Sequence, residues 1–151
     1  MTRTDETPQE ALRTSEARLA AGVDLAGLAF YEVDFREGVA YVDDRFRELC
    51  GLPPDREQGL QPLEFWIDHL HPDDRSRVLE AREALHDGSL ERLSIEYRFL
   101  HPVQGEKWMK HLGRIAARDA TGRAVKAYGV LRDITDNKLT EIVSNEPGFS
   151  R

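Results

Sequence analysis

The sequence predicts an α+β fold: a five-stranded antiparallel sheet with short helices on one face and a further helix flanking it at the N-terminus. Three observations carry that expectation. Residues 93–99 alternate, with Leu93, Ile95, Tyr97 and Phe99 on one face and Ser94, Glu96 and Arg98 on the other, the pattern of a half-buried strand. Between residues 43 and 88 the apolar positions instead recur at three and four, the helical period. The order is helix, two strands, several short helices, three strands. A helical insert between a hairpin and a meander leaves one sheet covered on one face.

Taken in order, residues 1–8 are polar and expected to be a disordered tail. Residues 9–26 form a flanking helix, with Leu12, Leu19 and Val23 at helical spacings between Glu and Arg, and Gly22 or Gly27 to end it. Its stripe is too narrow to be stable alone in water, so it needs the sheet or a second copy of itself, and a homodimer contact is expected there. Ala29, Tyr31, Val33 and Phe35 then alternate into a turn at Arg36-Glu37-Gly38, which reads as a hairpin. Asp43 can cap a short helix with Phe46, Leu49 and Cys50 on one face, stopped by Gly51 and Pro53. Pro62 opens another, with Leu63, Trp66, Ile67 and Leu70 at i, i+3, i+4 and i+7. A third starts at Pro72, where Asp73 and Asp74 set negative charge at the positive end of the helix dipole. Its inward residues are Val78, Ala81 and Leu85, and Gly88 ends it. Strands follow over 93–100, 105–119 and 123–134, the last two joined by a tight turn at 119–122. The expected division is a tail at 1–8, the flanking helix at 9–26, the core at 27–135 and the start of a C-terminal helix or linker at 136–151.

Composition narrows the function. The chain has 151 residues, 40 % hydrophobic and 32 % charged, with a net charge of −7. An acidic surface argues against binding nucleic acid or an anionic membrane. The single cysteine, Cys50, excludes an internal disulfide and fits a reducing compartment. No apolar stretch reaches the about 20 residues of a spanning helix, and no signal-peptide pattern opens the chain. A cytoplasmic location is expected. Nothing resembles a nucleophile–base pair or a phosphate-cradling glycine loop, so no enzyme is expected in this segment.

Over roughly residues 10–140 the sequence resembles a PAS domain of bacterial signalling proteins. Tyr31-Glu32-Val33-Asp34 resembles the family's first strand, and Phe46 to Leu52 the helix after the hairpin. His71-Pro72-Asp73-Asp74-Arg75 resembles the entry to its long helix. Glu96-Tyr97-Arg98, and Trp108 three residues after Gly105, resemble its central strands; Gly129 and Asp133-Ile134-Thr135 resemble its closing strand. The resemblance implies that the closing strand runs into a helix leading to an output domain, here through Leu139, Ile142 and Val143. The chain stops before any such domain, which suggests an excised sensor module of a histidine kinase or a diguanylate cyclase. A ligand-free PAS dimerisation and relay element is the alternative.

The resemblance also bears on cofactors. Some oxygen-sensing members hold haem through a His three residues beyond the Arg that matches Arg75; Val78 stands there. Light-sensing members carry a reactive Cys in the helix matching residues 62–70, and this chain has none there. Haem and photoactive flavin are therefore disfavoured, while flavin held without a Cys adduct stays compatible. Cys50, on an apolar face, reads as a small buried hydrophobe. His69-x-His71 with Asp73 and Asp74 has the spacing of metal ligands, but a helix start with Pro and acidic first-turn residues explains the same letters, and no metal is expected.

The expected lining of a small ligand pocket is Phe46, Leu49, Leu70, Val78, Ile95, Leu112 and Val130. The expected signal joint is Asp133, holding Arg98 or the indole of Trp108, with Thr135 or Asp136 capping the helix that follows. Trp108 reads otherwise as core.

Overall fold

The computed structural model describes residues 7–53 and 62–144. The expected tail, through residue 6, and the end of the chain from residue 145 lie outside them. Helix α1 (Pro8–Ala26) is followed by β1 (Ala29–Asp34), β2 (Val39–Val42), α2 (Asp44–Cys50), α3 (Pro62–Asp68), α4 (Pro72–Asp87), β3 (Arg92–His101), β4 (Gly105–Arg118), β5 (Ala124–Asp133) and α5 (Thr135–Ser144). The five strands form one sheet in the order β2-β1-β5-β4-β3, antiparallel at every step. The fold class read from the sequence is the observed one. The first strand and the last lie side by side, so the closing strand runs through the middle of the sheet.

The helix starts follow from their caps. Asp43 accepts the Phe46 N–H at 2.8 Å and opens α2. Gly51, with φ of 73°, closes it in the left-handed region that glycine enters without strain. Pro72 opens α4, where the His71 ring accepts the Asp73 N–H at 3.1 Å.

One face of the sheet is the core side. Tyr31 and Val33 of β1, Leu93, Tyr97 and Phe99 of β3, Met109 and Ile115 of β4, and Ala127 and Leu131 of β5 are buried. Against them lie Phe46 and Cys50 of α2, Trp66 of α3, and Val78 and Leu85 of α4. Each large side chain removed from water contributes about 1.5–3 kcal/mol, and this burial holds the short helices in place.

Helix α1 is different. It buries none of its residues. Leu12, Leu19 and Leu25 are 59 %, 70 % and 86 % exposed. Thr7 caps its start, Gly27 ends it, and Arg45 of α2 pairs with Asp24 near its last turn. No helix among the described residues is long and apolar enough to cross a membrane.

Candidate functional site

A partly open cavity of about 40 Å³ lies between the core face of the sheet and helices α2 to α4. Its walls are mostly apolar, among them Val33, Phe46, Trp66, Val78 and Leu131, and the polar side chains on it are few: Tyr31, Arg82 and His111, with the indole of Trp66. A chain of hydrogen bonds runs along it. Trp66 Nε1 donates to Tyr97 Oη at 2.9 Å, Tyr97 Oη lies 3.0 Å from His111 Nδ1, and His111 Nε2 lies 2.7 Å from Tyr31 Oη. Burial, aided by the charge of Arg82, pushes the His111 pKa down to about 3, so the imidazole is neutral. Burial raises both tyrosines, so both keep their protons.

Tyr31 sits on β1 and His111 on β4, with β5 between them. The ring crosses β5 over Gly129: a Cβ there would lie 2.2 Å from Tyr31 ring carbons. Gly113 stands directly opposite Gly129 in the β4–β5 register, and a Cβ on it would come 3.0 Å from the Tyr31 hydroxyl. Two facing glycines open the slot that the phenol fills.

Of the seven expected lining residues, Phe46 and Val78 border the cavity. Leu70 lies in the core beside it, and Leu49 and Ile95 pack against that core without lining the space. Leu112 and Val130 lie elsewhere: they pair with each other on the opposite face of the sheet, where Leu112 is 41 % exposed. The reason is strand parity. In β4 and β5 the core-facing positions include His111, Gly113 and Gly129, which look less apolar than Leu112 and Val130. Choosing the more apolar set selects the outer face. The sequence reading missed Tyr31, Trp66, Tyr97, Arg82 and His111 as site residues. For Tyr31 the signal was the pair of strand glycines, which mark a close approach over the sheet.

The expected joint comes together with changed partners. Asp133 does not hold Arg98 or the indole of Trp108; its Oδ1 accepts the Thr135 N–H at 2.9 Å and the Thr135 hydroxyl at 2.5 Å, and Oδ2 lies 3.4 Å from Lys107 Nζ. Burial alone would raise the Asp133 pKa, but the Thr135 bonds and the Lys107 charge outweigh it and lower it. Thr135 does not cap α5 with its hydroxyl. Its Oγ1 accepts the Trp108 backbone N–H at 3.1 Å, while the Ile134 N–H donates to the Trp108 carbonyl at 2.9 Å. The entry to α5 is thereby pinned to β4. Arg98 is taken by Asp74, whose carboxylate accepts its backbone N–H at 2.8 Å, Nε at 2.9 Å and Nη2 at 2.8 Å. The start of α4 abuts the edge strand β3, which brings Asp74 to Arg98 before Asp133 can reach it. The hydrogen bonds from Arg98 hold Asp74 well below the usual carboxylate range. The Trp108 ring carries two cations, Arg98 at 5.5 Å and Lys138 of α5 at 4.9 Å, and Lys138 Nζ reaches Glu96 at 2.9 Å.

The His69–Asp74 stretch is occupied by local bonds. His69 Nδ1 lies 2.7 Å from the Phe65 carbonyl, His71 holds the Asp73 N–H, and Asp74 holds Arg98. No group of three His, Cys, Asp or Glu side chains among the described residues is placed to hold a metal ion. The Cys50 thiol is buried and pushed up to about 12, unreactive at neutral pH.

Similar proteins follow from the fold. A comparison with curated proteins finds no match. Among solved structures, a sensory box histidine kinase/response regulator from Burkholderia thailandensis E264 has 24 % identity and a TM-score of 0.65, with 82 % of this chain and 89 % of that chain covered. The N-terminal domain of a diguanylate cyclase with PAS/PAC sensor from Marinobacter aquaeolei has 19 % identity and a TM-score of 0.61, with 74 % and 98 % covered. A PAS domain from Colwellia psychrerythraea has 20 % identity and a TM-score of 0.57, with 80 % and 98 % covered. These likenesses concern the fold. The profile described as PAS fold matches residues 39–131, more than half of the sequence, and the chain belongs to that family of sensory domains.

Proposed function

We propose that this PAS domain is a signal-transduction module that binds a small ligand in the cavity, or relays a signal arising elsewhere, through α5 to an output domain. The parent is a sensor histidine kinase or a diguanylate cyclase, as are two of the solved structures named above, and it works in the cytoplasm as a homodimer joined through α1. One observation carries the reading. Strand β5 lines the cavity with Ala127 and Leu131 and, two residues later, ends at Asp133, which holds the first residue of α5. A change in the cavity that moves β5 moves the joint with it. The exposed leucines of α1 support the dimer.

The small size of the cavity favours the second reading, a ligand-free relay and dimerisation element. Mass spectrometry of the denatured purified protein separates the two. The ligand reading expects a small molecule that co-purifies in near-stoichiometric amount or one that can be loaded. A protein that releases nothing and takes up nothing leaves the relay alone.

A further inference from the structure

The hydrogen bonds beside the cavity have a direction. Tyr97 is fully buried, and among the described residues only Trp66 and His111 reach its hydroxyl. The indole N–H can only donate, so Tyr97 Oη accepts from it. If His111 Nδ1 also donated, the spare proton would sit on Tyr97, which does not line the cavity and has no other acceptor among the described residues. The arrangement that avoids this has Tyr97 donating to Nδ1 and the opposite nitrogen, Nε2, donating to Tyr31 Oη. The chain therefore runs from Trp66 through Tyr97 and His111 to Tyr31 and ends there. The hydroxyl proton of Tyr31, itself 8 % exposed, has no acceptor among the described residues, and Tyr31 lines the cavity.

A second donor borders the same space. Arg82 stands on α4 with its guanidinium 5.5 Å from the Phe35 ring centre. It makes no hydrogen bond or ion pair with any described residue, yet its charge acts on both Tyr31 and His111. A cation and a hydroxyl donor thus border one apolar space that offers them no acceptor. The neutral imidazole adds no second positive charge.

We infer that the cavity takes a short-chain monocarboxylate, its oxygens between Arg82 and Tyr31 Oη and its alkyl end against Val33, Phe46 and Leu131. An anion matches the guanidinium, and a second oxygen takes the phenol proton. Dianions and sugars would lose hydration to walls that are almost wholly apolar. Size sets the chain length. The space of about 40 Å³ holds about three water-sized groups, whereas an engineered cavity of about 150 Å³ is what admits benzene. Formate matches that size and acetate is its upper limit.

This inference rests on the ligand reading above, and its test keeps the two apart. Formate, acetate and butyrate, with acetamide and ethanol as neutral counterparts, are titrated at constant ionic strength into wild type, Arg82→Met, Arg82→Lys and Tyr31→Phe. Binding is read from the melting temperature and from amide shifts of residues 31, 111 and 129. Formate or acetate is expected to bind wild type, and butyrate and acetamide not to. Arg82→Met should weaken binding about tenfold or more and Arg82→Lys less, while Tyr31→Phe costs about three- to tenfold. Carboxylate binding that survives Arg82→Met unchanged, or ethanol or the amide binding as tightly as the acid, overturns the carboxylate assignment and leaves the ligand reading standing. No binding by any compound, in a protein from which mass spectrometry detects no small molecule, overturns both.

Discussion

Tyr31 Oη lies 2.7 Å from His111 Nε2 although a whole strand, β5, runs between the two residues. The contact exists because Gly129 has no side chain, and it ties β1 to β4 over the back of β5. Gly129→Ala therefore pushes the Tyr31 ring off its seat. Overpacking of this kind costs about 1–3 kcal/mol. The expected loss, read by denaturant unfolding, is about 2 kcal/mol, with exchange of the Tyr31 hydroxyl proton speeding up. A variant as stable as wild type would mean that the ring has room to move.

His111 makes stability depend on pH. Its folded pKa is lowered to about 3 against 6.5 for the free side chain. Between those values the unfolded chain binds a proton that the folded chain does not, so stability falls as pH falls below about 6.5. The slope approaches about 1.4 kcal/mol per pH unit. Asp74, also lowered, adds its loss only below its ordinary value of 3.8. Unfolding free energies from pH 7 to 4.5 should thus show a steeper decline in wild type than in His111→Gln, which can still donate and accept one bond each way. Parallel curves would place the pH dependence elsewhere.

Removing residues 1–22 should lower the apparent mass in light scattering from that of a dimer to that of a monomer. The apolar side chains of α1 stand in solvent, which a monomer gives no reason for. A shortened chain that remains dimeric would count against α1 as the contact.

The sequence made most of the fold readable, because each element announces itself locally. Asp43, Pro62 and Pro72 mark helix starts, Gly51 and Gly88 mark ends, and β3 alternates without a break. The cavity was less readable. In β4 the set Met109, His111, Gly113, Ile115 and the set Trp108, Lys110, Leu112, Arg114 both mix polar with apolar residues, so periodicity alone does not choose between them. The choice is made by a residue 80 positions away, Tyr31, which needs a His partner and two glycines beneath it. The joint was half readable. Asp133 ends β5 and Thr135 opens α5, but Arg98, a partner expected for Asp133, is taken by Asp74 where α4 meets the sheet edge, and that meeting is set by packing.

Asp133→Ala removes the acceptor that organises the start of α5 and the partner of Lys107. The site is at the end of a strand and partly exposed, so the loss of stability should be small, about 1 kcal/mol. Coupling between two sites typically spans about 1–3 kcal/mol, so the same change can abolish most of the signal dependence. Melting temperature and output, measured together in a longer protein that carries its output domain, check this. A variant that responds to its signal as wild type does would show that the message does not pass through Asp133.

In the proposed relay, the state of the cavity reaches α5 through β5. Ala127→Val tests it within the domain. Ala127 is fully buried, lines the cavity and belongs to β5, and its side chain can grow by two carbons into the space. The measurement is amide hydrogen exchange across residues 135–141 in wild type and variant, with residues 8–20 of α1 as the internal reference. The expected result is a change of about threefold or more in the exchange of α5, with α1 unaltered. Exchange in α5 identical to wild type, while the amides lining the cavity shift, would contradict it.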